Sequence, residues 1–346
     1  MNIQELDKIN TFFVLTRPRS GSTLVSLLFF AHYNVSIAND SHLVTRLYFK
    51  FKGVKKWNDK SLNQFVNSLK RIEIKDKIKF RSDILLLGEN ATLPRLIKTV
   101  YLNINNYIEK ENIIIIGDKT PYFSLQKHYF DILEELFPNL KVIHLLRDYR
   151  DHYQSIQKVS IQIKQRAIIA YNWLYSCKII KSKFGGTPNY YAIKYEDLVS
   201  YPEKYAIEIC NFLDIMYLPE MLEFHKKKDL LEEKYNANLE DVKFKLFHSK
   251  LLKPISNKYI YTWKNSLDDK TVRVMDSIIG DYAELCGYER KFFTKPNLFL
   301  IWQLKFIIWL KSFIISKTDK LPYNVSFIFR GLLNKFVQIY SKTLHK

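Results

Sequence analysis

The stretch TFFVLTRPRSGSTLVSLLFFAH, residues 11–32, decides the architecture of this chain. Its opening, Thr11 to Thr16, is an apolar run of buried-strand length and too short to span a bilayer. From Thr23 to His32 the residues are apolar at helical density. Between them stands Arg17-Pro18-Arg19-Ser20-Gly21-Ser22, rich in turn formers. A glycine there lets the backbone turn tightly and present successive N–H groups. The helix start adds the positive end of a dipole, Ser22 and Thr23 add hydroxyls, and Arg19 adds a fixed cation. Together they describe a phosphate cradle. It is not the G-x-x-x-x-G-K-[ST] loop, because the basic residue precedes the glycine. An ordinary capped helix start remains the alternative for such a string read alone.

The same alternation continues down the chain. Ile113 to Asp118 (IIIIGD) and Lys141 to Leu146 (KVIHLL) read as buried strands, and Tyr190 to Ile193 as a fourth. Phe130 to Phe137 reads as a helix bearing Asp131, Glu134 and Glu135, ended by Pro138-Asn139. Strands alternating with helices predict βαβ units, a parallel sheet and a ligand beyond the carboxyl ends of the strands. No internal repeat or low-complexity tract interrupts them.

Composition narrows the class. The 346 residues are 47% hydrophobic and 26% charged, which supports a sizeable core and excludes wholesale disorder. Three cysteines, Cys177, Cys210 and Cys286, without short spacing exclude a disulfide framework and a cysteine-based metal site, and suggest a reducing compartment. The start, MNIQELDK, has no basic segment followed by an apolar run, so cytoplasmic placement is expected. Lys and Arg number 54 against 35 Asp and Glu, a formal +19 that predicts an anionic partner. Ten of those cations and one acid, Asp319, fall in residues 291–346.

That tail divides the chain into a 1–290 domain and a basic, aromatic-rich extension over 291–346. Leu298 to Ser316 is nearly continuous in apolar residues, but Lys305 and Lys311 would each cost roughly 2.5–3.5 kcal/mol at a bilayer centre. Past Pro322, Phe329, Leu332, Leu333, Phe336, Val337 and Tyr340 recur at helical spacing. Two readings stay open: a hairpin lying on a membrane surface through 297–346, or one packed on the domain or on a second subunit. Nucleic acid is not expected, since no basic stripe interleaved with aromatics occurs outside the tail.

A second string, Arg147-Asp148-Tyr149-Arg150-Asp151, follows the KVIHLL strand, with Ser155 eight residues after Arg147. If a helix starts near Asp148, Ser155 lies about two turns along it, near 10–11 Å from its start. An arginine at the strand end and a serine on the helix would then clamp one dianion from two sides. Alone, a salt-bridged helix start is the simpler reading.

Together, the two strings resemble the sulfotransferases that use 3′-phosphoadenosine-5′-phosphosulfate (PAPS). The likeness extends to Gly117-Asp118-Lys119-Thr120-Pro121, to Lys194-Tyr195-Glu196-Asp197-Leu198 and to Phe212-Leu213. Lys253-Pro254-Ile255, Trp263 and Gly287-Tyr288-Glu289 carry it on, so it covers roughly Thr11 to Glu289. The resemblance implies a three-layer α/β sandwich around a mainly parallel sheet, akin to P-loop nucleotide kinases, here with a helical C-terminal extension. It implies no metal. Arg19, Ser20, Gly21, Ser22 and Thr23 would hold the 5′ end of PAPS, Arg147 and Ser155 the 3′-phosphate, and Tyr195 would lie near the nucleotide.

The family's tyrosylprotein and carbohydrate-type members carry an acid some twenty residues past the loop arginine. Asp40 stands there, shorter than the usual Glu, and is the candidate base, with His42 the runner-up. Asp40 could equally cap the segment after it. Sulfuryl transfer resembles phosphoryl transfer, so the protein must supply alignment, a base for the acceptor, and cations for charge on the leaving phosphate. Lys119 and Arg19 are the candidates for that charge. Glu196 and Asp197 more simply tie down the next helix, and His32, His128 and His144 read as structural. The acceptor, a hydroxyl or amine, is expected to meet residues between Ser41 and Asn112, among them Arg46, Tyr48, Lys50, Phe51, Lys52 and Trp57. Two other functions compete. A P-loop kinase would need a loop lysine, which is missing, and an acid for Mg²⁺, for which only Asp118 could serve. A catalytically idle scaffold or membrane module would keep the fold without the transfer.

Overall fold

The computed structural model describes residues 2–39, 41–69, 80–104, 110, 112–159, 164–227, 253–321 and 323–343. Its centre is a five-stranded parallel sheet of β1 (Asn10–Leu15), β2 (Val35–Asn39), β3 (Ile115–Lys119), β4 (Lys141–Leu146) and β5 (Tyr190–Lys194), in the order β2-β3-β1-β4-β5. The continuous run in β1 is explained by burial on both faces. Phe12 and Val14 join Ile143, Leu145 and Ile193 on one side, whereas Phe13 and Leu15 join Ile116 and Val142 on the other. Phe12 lies opposite Gly117 in the register, and a Cβ on that glycine would sit 2.3 Å from the ring. Gly117 is therefore required by close packing.

Helices cover both faces, so the sandwich has three layers. The Phe12 face packs against α1 (Ser22–Ala31), and then against α8 (Tyr195–Ser200) and α9 (Pro202–Leu213). The Phe13 face packs against α2 (Leu43–Phe51), α3 (Asp59–Leu69), α4 (Leu93–Leu102) and α5 (Lys127–Leu136). Beside the sheet, α6 (Tyr149–Gln157), α7 (Arg166–Phe184) and α10 (Asp269–Ile279) build a third cluster with the C-terminal helices α11 (Leu298–Thr318) and α12 (Tyr323–Thr343).

Four strands match the sequence reading, with shifts of one or two residues at their ends: Ile113 and Ile114 precede β3, and Lys119 ends that strand rather than following it. The helix read from Phe130 begins at Lys127 and ends at Leu136. The edge strand β2 was not expected. Its polar residue Ser36 is fully buried, where its hydroxyl reaches the carbonyls of Tyr101 and Ile104 at 2.6 and 3.1 Å. That partner, sixty-five residues away, lends the short mixed segment its strand identity.

The extension packs inward by one face. Leu304, Ile307, Ile308 and Ile315 of α11 and Leu333 and Val337 of α12 are buried. Asp319, between the helices, accepts from His128 Nε2 at 3.0 Å and Tyr129 Oη at 3.0 Å, and pairs with Arg330. The outward face is different. Phe299, Trp302, Phe306, Trp309 and Phe313 form one continuous stack along α11, with ring centroids 5.7–6.1 Å apart. Trp302 and Trp309 are 60% and 58% exposed, so this stack lies outside the core.

Candidate active site

The turn between β1 and α1 is held by long-range ties. Thr16 Oγ1 donates to Leu145 O at 2.7 Å, and His152 Nε2 lies 3.0 Å from Pro18 O, which can only accept. Burial, reinforced by Arg17 and Arg147, pushes His152 well below the usual histidine range, so it is a neutral donor here. Arg19 and Gly21 both adopt left-handed backbone, at φ of 70° and 94°. Gly21 has a second constraint: a Cβ there would fall 2.2 Å from Cδ2 of Tyr195. With no side chain to cap α1, its first N–H groups and the hydroxyls of Ser22 and Thr23 surround the turn.

The second string meets the first at Arg19. Arg147 Nη1 donates to Arg19 O at 2.9 Å, Arg147 Nη2 to Tyr259 O at 3.1 Å, and Arg19 Nε to Ser155 Oγ at 3.3 Å. The Arg147 guanidinium lies over the Tyr195 ring at 4.7 Å, and that ring lies against Gly21. Arg19, Ser20, Gly21, Ser22, Thr23, Arg147, Ser155 and Tyr195 therefore share one neighbourhood. Burial, then the neighbouring Arg147, lowers the Arg19 pKa, although a guanidinium stays charged near neutrality.

The rest of the Arg147–Asp151 string is scaffold. Asp148 caps α6 through Arg150 N at 2.9 Å and takes a two-point ion pair from Arg150 Nε and Nη2 at 2.9 and 2.8 Å. Arg150 also lies 3.7 Å from the Trp263 ring centroid and donates to Glu289 O at 2.9 Å. Asp151 accepts from Trp263 N at 2.9 Å. Motifs more than a hundred residues apart thus close around one buried ion pair. Glu196 locks the same turn, accepting from Asp148 N at 2.9 Å and Tyr288 Oη at 3.0 Å; burial raises its pKa to about 7.

Beside Arg19 opens a cavity of about 1200 Å³, lined by Arg17, Thr23, His42, Lys119, Arg46 and Lys50 among others. Lys119 is buried at the carboxyl end of β3, where Asn39 faces it across the register. His42 sits at φ 49° with its ring edge-on to Tyr122, centroids 5.2 Å apart. Asp40 lies outside the described residues. Asp118 is fully buried and accepts from Ser41, Tyr101 and Thr120 hydroxyls at 2.8, 2.6 and 2.6 Å.

Of the residues expected to meet an acceptor, Arg46 and Lys50 line the cavity. Phe51 and Trp57 are core residues packed on Phe65, and the buried Tyr48 donates to Glu135 at 2.5 Å. The extension contributes a further part of the lining, with Ile308, Lys311, Ile315, Asp319, Lys320 and Arg330. Sequence reasoning missed these residues because their periodicity reports a helix face but not which surface it meets. Arg17 was also given no role. It lines the cavity, donates to Ser124 Oγ at 3.2 Å, and is pushed down to about 10 by burial.

Comparison with known proteins bears on the family of the chain. A model described as the sulfotransferase family matches residues 11–219, well over half of the chain. Protein-tyrosine sulfotransferase A of Caenorhabditis elegans is 23% identical over 280 residues, covering 79% of this chain and 65% of that protein. The chain spans 62 to 67% of the length of the curated relatives it matches. Among solved structures, the sulfotransferase domain of the curacin biosynthetic pathway is 18% identical, with TM-score 0.48, covering 81% of this chain and 98% of that one. The sulfotransferase domain of the Synechococcus olefin synthase is 23% identical, also at 0.48, covering 78% and 94%.

Proposed function

The chain belongs to the sulfotransferase family, and from that premise we propose that it moves a sulfuryl group from PAPS to a hydroxyl or amine of an acceptor. The observation that carries this is the assembly around Arg19, whose carbonyl accepts from Arg147, whose Nε reaches Ser155, and whose side chain borders the cavity with Lys119 and His42. Residues 19–23 hold the 5′ end of the donor and Arg147 with Ser155 the 3′-phosphate, with Tyr195 beside the nucleotide. In the transfer the sulfur–oxygen bond to the donor phosphate breaks and a bond to the acceptor forms. The acceptor proton passes to a base, Asp40 or His42, and 3′-phosphoadenosine-5′-phosphate leaves. Lys119 and Arg19 stabilise the charge that builds on the leaving phosphate. The sulfuryl group carries less charge than a phosphoryl group, which suits a site that uses protein cations.

Calorimetric binding of 3′-phosphoadenosine-5′-phosphate, AMP and ATP–Mg²⁺ to the wild type, Arg147→Ala and Ser155→Ala tests the donor. Charged hydrogen bonds contribute about 1.5–3 kcal/mol each, so the 3′-phosphorylated ligand should win by roughly 10–100-fold or more, and Arg147→Ala should remove most of that preference. Equal or tighter ATP–Mg²⁺ binding would instead favour a kinase, and no nucleotide binding would leave an idle scaffold.

The exposed aromatic stack supports a second part of the proposal, that the outward face of α11 and α12 lies on an anionic membrane surface. The most apolar window of α11 has mean hydropathy 1.8, enough by length and composition to cross a bilayer. Its inner face is committed to protein, however, so the helix lies along the surface. Trp and Phe suit that interface, and the basic tail suits anionic lipid. Co-sedimentation with phosphatidylserine vesicles should fall on Trp302→Ser/Trp309→Ser; unchanged pelleting would refute the contact.

A further inference from the structure

The extension brings to the cavity one cation that no carboxylate among the described residues answers. Lys311 stands in the second half of α11 on the face opposite the aromatic stack, and it lines the cavity that Arg17 and Arg19 also line. Two other basic residues on this wall are accounted for: Arg330 pairs with Asp319, and Lys320 is an exposed side chain at the rim. Elsewhere in the lining, Lys50 donates to Ser68 Oγ at 2.5 Å. Among the described residues no ion pair involves Lys311, and the charged group that acts on it is another cation, Arg17. The carboxylate on the wall, Asp319, is already shared by Arg330, His128 and Tyr129.

A half-buried ammonium facing a cationic wall is costly without an anion. The donor brings negative charge, but two of the residues that match its motifs, Arg147 and Ser155, are not among those that line the cavity with Lys311. Resting on the sulfuryl-transfer reading, we propose that Lys311 is an acceptor-binding residue, and that the acceptor carries an anionic group (phosphate, sulfate or carboxylate) beside the hydroxyl or amine that is sulfated. The family match ends at residue 219. Acceptor choice in this chain thus depends on a segment outside that match.

The test is calorimetry of inorganic phosphate into full-length protein saturated with 3′-phosphoadenosine-5′-phosphate, which blocks the donor half. Wild type, Lys311→Met, Lys311→Arg and the exposed control Lys305→Met are compared. Phosphate should bind wild type and Lys305→Met alike, weaken at least tenfold in Lys311→Met, and recover in Lys311→Arg. Affinity for the blocking nucleotide should stay within twofold in every variant. Equal phosphate binding in Lys311→Met overturns the inference. So does a parallel loss of nucleotide affinity, which would put Lys311 in the donor half. If the wild type fails to bind the nucleotide at all, the donor reading fails first, and the two failures are told apart.

Discussion

Replacing Lys311 by Met should stabilise the unliganded protein, by an amount that depends on pH in a specified direction. Burial, with Arg17 nearby, pushes the Lys311 ammonium down to about 8 from 10.5. At about 1.4 kcal/mol per unit, that drop corresponds to roughly 3 kcal/mol, and solvent in the cavity screens part of it, leaving about 1–3 kcal/mol. Because the folded-state value is depressed, the unfolded chain binds the extra proton between the two values. Wild-type stability therefore rises with pH from about 8 towards 10.5, and below about 8 the full penalty applies. Met has no such term. The gap between variant and wild type should be largest at pH 7, about 1–3 kcal/mol or a few degrees in Tm, and should close through pH 8.5 to pH 10. Urea unfolding of both proteins at those three pH values measures it, since all other titrations cancel in the comparison. A gap of the same size at pH 7 and pH 10, or a less stable Met variant at pH 7, would refute the claim that this cation is desolvated and unanswered. Saturating phosphate should shrink the pH 7 gap by stabilising the wild type selectively.

Other expectations follow from the same geometry. Gly21→Ala must place a Cβ at φ 94° and 2.2 Å from Tyr195, so nucleotide affinity should drop by about 10–100-fold, for about 1–3 kcal/mol of strain; calorimetry showing wild-type affinity would contradict the cradle as drawn. Glu196 is raised to about 7 by burial, so the proton it binds in the folded state stabilises below about 4.5 and is lost as pH rises through 7. Glu196→Gln keeps an acceptor for Asp148 N and should match or exceed wild-type stability at pH 8, whereas Glu196→Ala should lose about 2–3 kcal/mol in urea unfolding; equal effects would argue against this lock. Asp319→Ala leaves Arg330 without its buried partner, at a cost of about 3–5 kcal/mol, and should loosen the α11–α12 hairpin. Limited proteolysis should then cut near Arg290–Lys295 faster than in the wild type, and an unchanged pattern would show that apolar packing alone holds the hairpin.

The parallel α/β sheet and the turn at Arg19 were legible because each is a local signal. A run such as TFFVLT is apolar on both of its alternating faces only if both are buried, and the glycine in Arg19-Ser20-Gly21 marks the tight turn between strand and helix. The spacing from Arg147 to Ser155 likewise follows from helix geometry, since Asp148 caps α6. What could not be read depended on partners distant in sequence. Ser36 became a strand residue through the carbonyls at Tyr101 and Ile104, and Arg150 became scaffold through Trp263 and Glu289. The tail makes the distinction clearest. Its composition alone established a basic, aromatic helical hairpin, because periodicity and charge are properties of a segment. Only the tertiary structure decided that one face of α11 carries Lys311 into the cavity while the other holds Trp302 and Trp309 outside, because which surface a helix meets is settled by packing against residues far away in the chain.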